Sequence, residues 1–379
     1  DERRTARLML CRQVFLAVAW LAVAVGGSSE GPRRLAVLHG GALQGASAVG
    51  PRGQGTSGSV PVIDLAPLVS PEEHTEEERS EVVRRIRVAC EEWGFFQVVN
   101  HGIPASVQES MEEQMRAFFR LPLAVKYLVK RTAGNSRGYA DDELTKQRRD
   151  WKEMFDLGHV PRPDLASDHP ENQVVDGYNQ WPSEALPEFE PAMMQYFHAC
   201  EVLAQTLMQA IASSLGVEET TFTSSFTPHT SFLRLNYYPV NPEPEPGTLG
   251  ISRHTDAGAI TLLLQDSVSS LEVYSGSKED HADGQWVPVR PVRGAITINI
   301  GDMLQVWTNG KFTAPEHRVR TNPKHERFSA PFFFNPSYEA VVAPVEDVVG
   351  KGKAKRYRDI QWGHFRSQRF AGDFADKGK

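Results

Sequence analysis

The chain has 379 residues, 40% hydrophobic and 23% charged, with a formal net charge of −7; that balance suits a globular protein with a sizeable core in one large domain or two intimate ones. No basic excess and no long run of one sign point to a nucleic-acid partner. Three scattered cysteines (Cys11, Cys90, Cys200) are too few for a disulfide framework or a thiolate zinc site.

The N-terminus differs from the rest. Arg3, Arg4 and Arg7 precede "VFLAVAWLAVAVGG", whose apolar stretch over 14–25 has the length of a signal-peptide core and is too short for a stable membrane span. No acidic residue falls between Glu30 and Asp64, and Gly, Ala and Ser dominate there. Residues 1–58 therefore read as a targeting leader and flexible linker. They would direct the protein to the secretory pathway or to a plastid-like organelle. The competing reading is a spurious upstream extension on a cytoplasmic protein, because the chain starts at Asp1 rather than Met.

Folded sequence is expected from "VPVIDLAPL", whose alternation suits a short strand. "TEEERSEVVRRIRVACEEWGFF" predicts a helix with acidic first turns and Val82, Ile86, Ala89 and Trp93 on one face. "FFQVVNHGIP" reads as a strand ending in a turn at Gly102 and Pro104, and His101 as a turn or packing residue. A second helix from Ala105 carries Val107, Met111, Met115 and Phe118 on one side. A long polar connection follows, over roughly 131–186. A third helix spans about 191–215 with Phe197, Cys200, Leu203, Leu207 and Ile211 inward. From Ser231 the period changes to short β-rich runs split by turns, among them "FLRLNYYPV", "AITLLLQD", "AITINIGD", "MLQVWTNGKF" and "RFSAPFFFN". Asn309-Gly310 between apolar runs signals a hairpin. The pattern predicts a small barrel or jelly roll with the helices laid on it.

Within that β-core, "SRHTDAGAIT" sets His254 two residues before Asp256, a spacing that puts both on one face of a strand. His317 in "APEHRVR" falls on a later strand. Two histidines and a carboxylate form the facial set of non-haem Fe(II) sites; the plain alternative is a hydrogen-bonded pair plus a core histidine. Arg327 and Ser329 share a strand face, and an arginine fork with a hydroxyl can clamp a carboxylate. Arg234, Asn236 and Tyr238 share another face. Polar tips inside a barrel need partners, which an iron and a dianionic cosubstrate would supply.

With these motifs in order, and the ten-residue step from His317 to Arg327, the chain over about 60–370 resembles the 2-oxoglutarate and Fe(II)-dependent dioxygenases, in the branch of isopenicillin N synthase, gibberellin oxidases and flavonol synthases. "ACEEWGFFQVVNHGIP", "SRGYADDE", "DWKEMFDLG", "LRLNYYP", "HTDAGAITLLLQD" and "RFSAPFFF" carry the likeness. The resemblance implies a double-stranded β-helix core over 230–340. Around it lie an N-terminal dioxygenase region over 59–165, a connecting helical segment over 166–229 and a C-terminal extension over 341–379. It implies that His254, Asp256 and His317 bind Fe(II), that Arg327 and Ser329 hold the distal carboxylate of 2-oxoglutarate, and that Tyr238 and Asn236 touch its chelating end. Cosubstrate and O2 would yield succinate and CO2 while a C–H bond of a small molecule is hydroxylated or desaturated, with ascorbate keeping the iron reduced. Phe333, Arg234, Tyr139 and Phe155 are candidates to shape the substrate pocket; Arg234 could equally pair with a neighbouring acid. The enzyme would act as a monomer. Two rivals stay open: an isopenicillin N synthase-like or aminocyclopropanecarboxylate oxidase-like enzyme that does without 2-oxoglutarate, and a β-barrel binding protein with a vestigial metal site.

Overall fold

The structure, a computed structural model, describes residues 59–132, 134–145, 148–159, 177–276 and 284–374. The leader expected over 1–58, and with it Cys11, lies outside them.

Strand β1 (Val62–Asp64) pairs in parallel with β2 (Phe95–Val99). Between them, helix α1 (Glu76–Glu92) starts at a capping box: Thr75 Oγ1 accepts from the Glu78 amide, and the Glu78 carboxylate accepts from the Thr75 amide. The helix buries Val82, Ile86, Ala89 and Cys90. Trp93, expected on that stripe, is the C-cap and only half-buried. Helix α2 (Ala105–Phe119) buries Val107, Met111, Met115 and Phe118, as its spacing requires.

The expected polar connection holds strands instead, two of which join the large sheet. β3 (Gly138–Ala140) pairs antiparallel with β4 (Glu153–Gly158). Neither shows alternation in sequence, because β3 has three residues and β4 is buried along nearly its whole length. Helix α3 (Phe189–Ser214) then buries Phe197, Cys200, Leu203, Leu207 and Ile211.

The C-terminal half supplies β5 (Phe232–Tyr238), β6 (Leu249–His254), β7 (Ile260–Gln265), β8 (Leu271–Ser275), β9 (Gln285–Pro288), β10 (Ile296–Ile300), β11 (His317–Arg320) and β12 (Arg327–Phe334). Eight strands form one sheet in the order β1-β2-β10-β7-β12-β5-β4-β3; four form the second, β9-β8-β11-β6. This is the double-stranded β-helix expected. The two faces of the large sheet divide cleanly. Leu262, Leu264, Ile296, Ile298, Ile300, Phe328, Ala330 and Phe332 join the core shared with the helices. Leu263 and Tyr238 join a smaller cluster with Val273 and Val319 of the second sheet. Period two thus turns Thr261, Gln265, Thr297, Asn299, Arg327 and Ser329 toward the space between the sheets.

The Asn309-Gly310 hairpin is not formed. The run before it is helix α4 (Asp302–Trp307), which buries Met303, Leu304, Val306 and Trp307 at helical spacing. Asn309 and Gly310 have φ of 52° and 79°, and the Gly310 amide bonds the Gln305 carbonyl, closing the helix with left-handed residues. Helix α5 (Trp362–Phe374) ties the C-terminal part back: Trp362 Nε1 donates to Thr230 Oγ1 at 2.8 Å. Among the described residues no helix is long and apolar enough to cross a membrane.

Candidate functional site

His254 closes β6 and His317 opens β11, and the two are register partners. Pairing sets their rings side by side, 4.3 Å between centroids. Asp256 does not sit on the strand as the two-residue spacing suggested. It lies past the end of β6, where its carbonyl accepts from the Asp302 amide at 2.8 Å and pins the turn to the start of α4. The three side chains converge all the same: Asp256 Oδ1 is 3.6 Å from His254 Nε2 and 3.7 Å from His317 Nε2.

The outward-facing atoms are already engaged. His254 Nδ1 contacts the Ser252 carbonyl at 2.8 Å and His317 Nδ1 the Pro315 carbonyl at 3.2 Å. A carbonyl accepts only, so each Nδ1 carries a proton, which in a neutral ring leaves the lone pair on Nε2. Asp256 Oδ2 accepts from Thr261 Oγ1 at 2.5 Å and Asn299 Nδ2 at 2.8 Å, which leaves Oδ1 for the common point. Burial, then the neighbouring His317, push the His254 imidazole down to about 3 against the pull of Asp256. Burial opposes ionisation of Asp256, but both histidines and the bonds from Thr261 and Asn299 outweigh it and hold the carboxyl below its usual range. A neutral imidazole and an ionised carboxylate are the forms that ligate metal. The set fits Fe(II) with one face left open.

Asn299 and Thr261 were not singled out in the sequence; the signal for Asn299 was its alternation with Thr297 along an otherwise apolar strand. Asn299→Ala is expected to weaken Fe(II) binding about 10–100-fold, the usual cost of losing a group that orients a ligand. Iron titration checks this, and an unchanged affinity would remove Asn299 from that role.

On the same inner face, Arg327 is 1% exposed. Its Nη2 donates to Gln265 Oε1 at 3.0 Å and Nη1 to Ser329 Oγ at 3.3 Å, while Nε has no partner. No carboxylate pairs with it among the described residues. Register sets Arg327 opposite Tyr238 and Ser329 opposite Asn236, whose Oδ1 is likewise buried and partnerless. The guanidinium lies 5.0 Å from the Tyr238 ring centre. An uncompensated buried cation costs on the order of several kcal/mol, a cost that an anion beside it would offset. Gln265 Nε2 continues to Thr297 Oγ1 at 3.1 Å, joining the clamp to the strand that bears Asn299.

The pocket candidates separate. Phe333 shares the clamp face and stacks on Phe232, 4.6 Å between centroids. Arg234 grips Asp156 with two bonds of 2.7 and 2.8 Å and reaches Glu143 at 3.2 Å. Tyr139 donates to Glu153 Oε2 at 2.7 Å, and Phe155 packs on Phe118 and Phe189; both belong to the helix-side core. His101 is a packing residue, bonded to the Gly294 carbonyl and the Ile103 amide.

Two family descriptions match the chain: "non-haem dioxygenase in morphine synthesis N-terminal" over residues 60–184 and "2OG-Fe(II) oxygenase superfamily" over 229–336. Feruloyl CoA ortho-hydroxylase 2 of Arabidopsis thaliana is 34% identical over 80% of this chain and 76% of its own length. Gibberellin 2-beta-dioxygenase 8 of Arabidopsis thaliana is 34% identical over 82% and 81%. A full-length Neurospora crassa protein, whose crystal structure was solved in complex with alpha-KG and thymine, superposes with a TM-score of 0.72 at 26% identity, covering 84% of this chain and 98% of that one.

Proposed function

The chain belongs to the 2OG-Fe(II) oxygenase superfamily, and on that footing we propose that His254, Asp256 and His317 hold its Fe(II) and that Arg327 with Ser329 grips the distal carboxylate of 2-oxoglutarate, Asn236 and Tyr238 flanking the cosubstrate toward the metal. The enzyme is an oxidoreductase that converts 2-oxoglutarate and O2 to succinate and CO2 while hydroxylating or desaturating a small organic molecule. The bound iron supplies the activation of oxygen.

The chain's residues do the rest. Asp256 supplies the one negative charge among the three ligands, and its turned-away oxygen is fixed by Thr261 and Asn299. Arg327 orients the cosubstrate through a planar fork that a carboxylate matches with two bonds. Leu263, Val273 and Val319 line the inter-sheet space and limit water there. The buried, carboxylate-free guanidinium, on the face of the large sheet that also bears Thr261 and Asn299, carries the assignment. An enzyme that omits 2-oxoglutarate, or a vestigial binding protein, has less support, since the superposed fold holds alpha-KG and the ligand set is complete. The test is succinate release from 2-oxoglutarate, scored across a panel of small metabolites. Stimulation by none of them, with iron bound, would count against the reading.

The stacked Phe333 and Phe232 favour a substrate with a flat, unsaturated or ring-bearing part. The net charge of −7 favours a free small molecule over nucleic acid, and the enzyme is read as a monomer. We read residues 1–58 as a targeting leader to the secretory pathway or an organelle reached through it. A fluorescent fusion of 1–58 is expected to leave the cytosol, and a chain starting near Ser57 to match the full chain in turnover per bound iron. A cytosolic fusion would favour the upstream-extension reading.

A further inference from the structure

Away from the triad, three elements bring a second set of ligating atoms together. His159 follows directly on β4, Glu201 lies on α3, and His229 stands just before β5. Glu201 Oε1 is 2.6 Å from His159 Nε2 and 2.8 Å from His229 Nε2, and the two nitrogens are 2.8 Å apart. Oε1 is buried, yet it receives no bond of hydrogen-bond geometry among the described residues. The other oxygen is taken: His198, one helical turn earlier on α3, contacts Oε2 through Nδ1 at 2.7 Å. That contact fixes the carboxylate and leaves Oε1 for the gap. The floor is apolar, with His159 edge-on to Phe197 and His229 over Phe334. Glu201 and His229 have side chains 14% and 10% exposed, while His159 is 38% exposed, so an ion could enter past it.

Three lone-pair atoms in one triangle are hard to satisfy with protons. Two imidazoles that both carry hydrogen on Nε2 would place two N–H groups head to head, and with one such hydrogen the trio keeps at least one unmatched edge. A cation satisfies all three atoms at once. We propose that His159, Glu201 and His229 form a second metal site, for a divalent first-row transition ion such as Zn2+, distinct from the catalytic triad. Two imidazoles and a carboxylate are a borderline N/O set that suits zinc, which imposes no geometry of its own.

The magnitudes set the strength. A tetrahedral zinc with bonds of about 2.0–2.1 Å holds its ligand atoms about 3.3–3.4 Å apart, so uptake must spread this triangle by roughly half an ångström. His229 Nδ1 must carry the proton when Nε2 binds, and it is buried without an acceptor among the described residues. A missing outer partner costs about 10–100-fold in affinity. Both point to an exchangeable site rather than a permanently filled one. An ion there would tie α3 to the end of β4 and to the start of β5, which carries Asn236 and Tyr238.

The test is equilibrium titration of the full-length chain, with Fe(II) and 2-oxoglutarate already bound and oxygen excluded, using Zn2+ and, for its visible spectrum, Co2+. One equivalent is expected beyond the iron, with a cobalt absorption typical of nitrogen and oxygen ligands and a zinc-dependent rise in melting temperature. Glu201→Gln keeps size and shape, and His159→Ala touches the exposed edge, so either reports even if His229→Ala fails to fold. Each should lower zinc affinity at least tenfold, whereas His325→Ala on an exposed loop should not. No equivalent beyond the iron, or one that persists undiminished in Glu201→Gln, would overturn the site and leave a hydrogen-bonded cluster.

Discussion

Asp256→Ala is expected to bring substrate-stimulated succinate formation to background while the protein still folds. The carboxylate is the one anionic member of the proposed ligand set, and its Oδ1 stands 3.6 and 3.7 Å from the two imidazoles. Without it, two neutral nitrogens must hold a dication on their own. The loss to the fold is smaller. Thr261 and Asn299 each lose an acceptor, a cost of about 1–3 kcal/mol for each buried group left unmatched. That falls within the roughly 5–15 kcal/mol by which such folds are stable. His254→Ala and His317→Ala should behave alike, since each removes one of three ligands. Iron content, succinate release and melting temperature on the same preparations separate the possibilities. Full turnover in any of the three, with iron present and no added imidazole, would sink the metal assignment.

Arg327→Lys should leave iron binding intact and raise the half-saturating 2-oxoglutarate concentration ten- to a hundredfold. Charge is kept, but the fork is lost, and with it one of two paired bonds to a carboxylate. Such charge-assisted bonds are worth about 1.5–3 kcal/mol. The ammonium is also a poorer fit to Gln265 and Ser329, which now take separate nitrogens of one planar group. An unchanged half-saturation would mean that Arg327 serves another anion. A loss confined to the prime substrate would revive the reading in which 2-oxoglutarate plays no part.

Much of the site was legible because it is written on strands. Arg327, Ser329, Asn236 and Tyr238 could be grouped by period two, and the register of β12 with β5 sets them opposite one another. His254 and Asp256 were grouped by the same rule and do converge, yet Asp256 reaches the site from a turn. Asn309-Gly310 misled because a left-handed pair closes a helix as readily as it makes a hairpin; the helical spacing of Met303, Leu304, Val306 and Trp307 was the better guide. β4 was missed because strands buried on both faces lose the alternation that marks them. His159, Glu201 and His229 could not have been joined by any local pattern. They come from three elements, and only the packing of α3 brings them together.

The split between the two faces of β12 and its neighbours has an evolutionary side. Along one strand, Phe328, Ala330 and Phe332 answer to the helices, while Arg327, Ser329 and Phe333 answer to whatever occupies the cavity. The two sets interleave in sequence but point to opposite faces of the sheet. A lineage can therefore exchange inner residues for new chemistry without repacking the helix-side core, and can drift in the core without retuning the reaction. Substitutions at the first set should register mainly as changes in melting temperature, and those at the second mainly in kinetics. What this partition forbids is a shift of register: one residue of slip would put the phenylalanines in the cavity and the guanidinium under the helices. Insertions and deletions should thus be tolerated in the turns of this family and be all but absent from these strands.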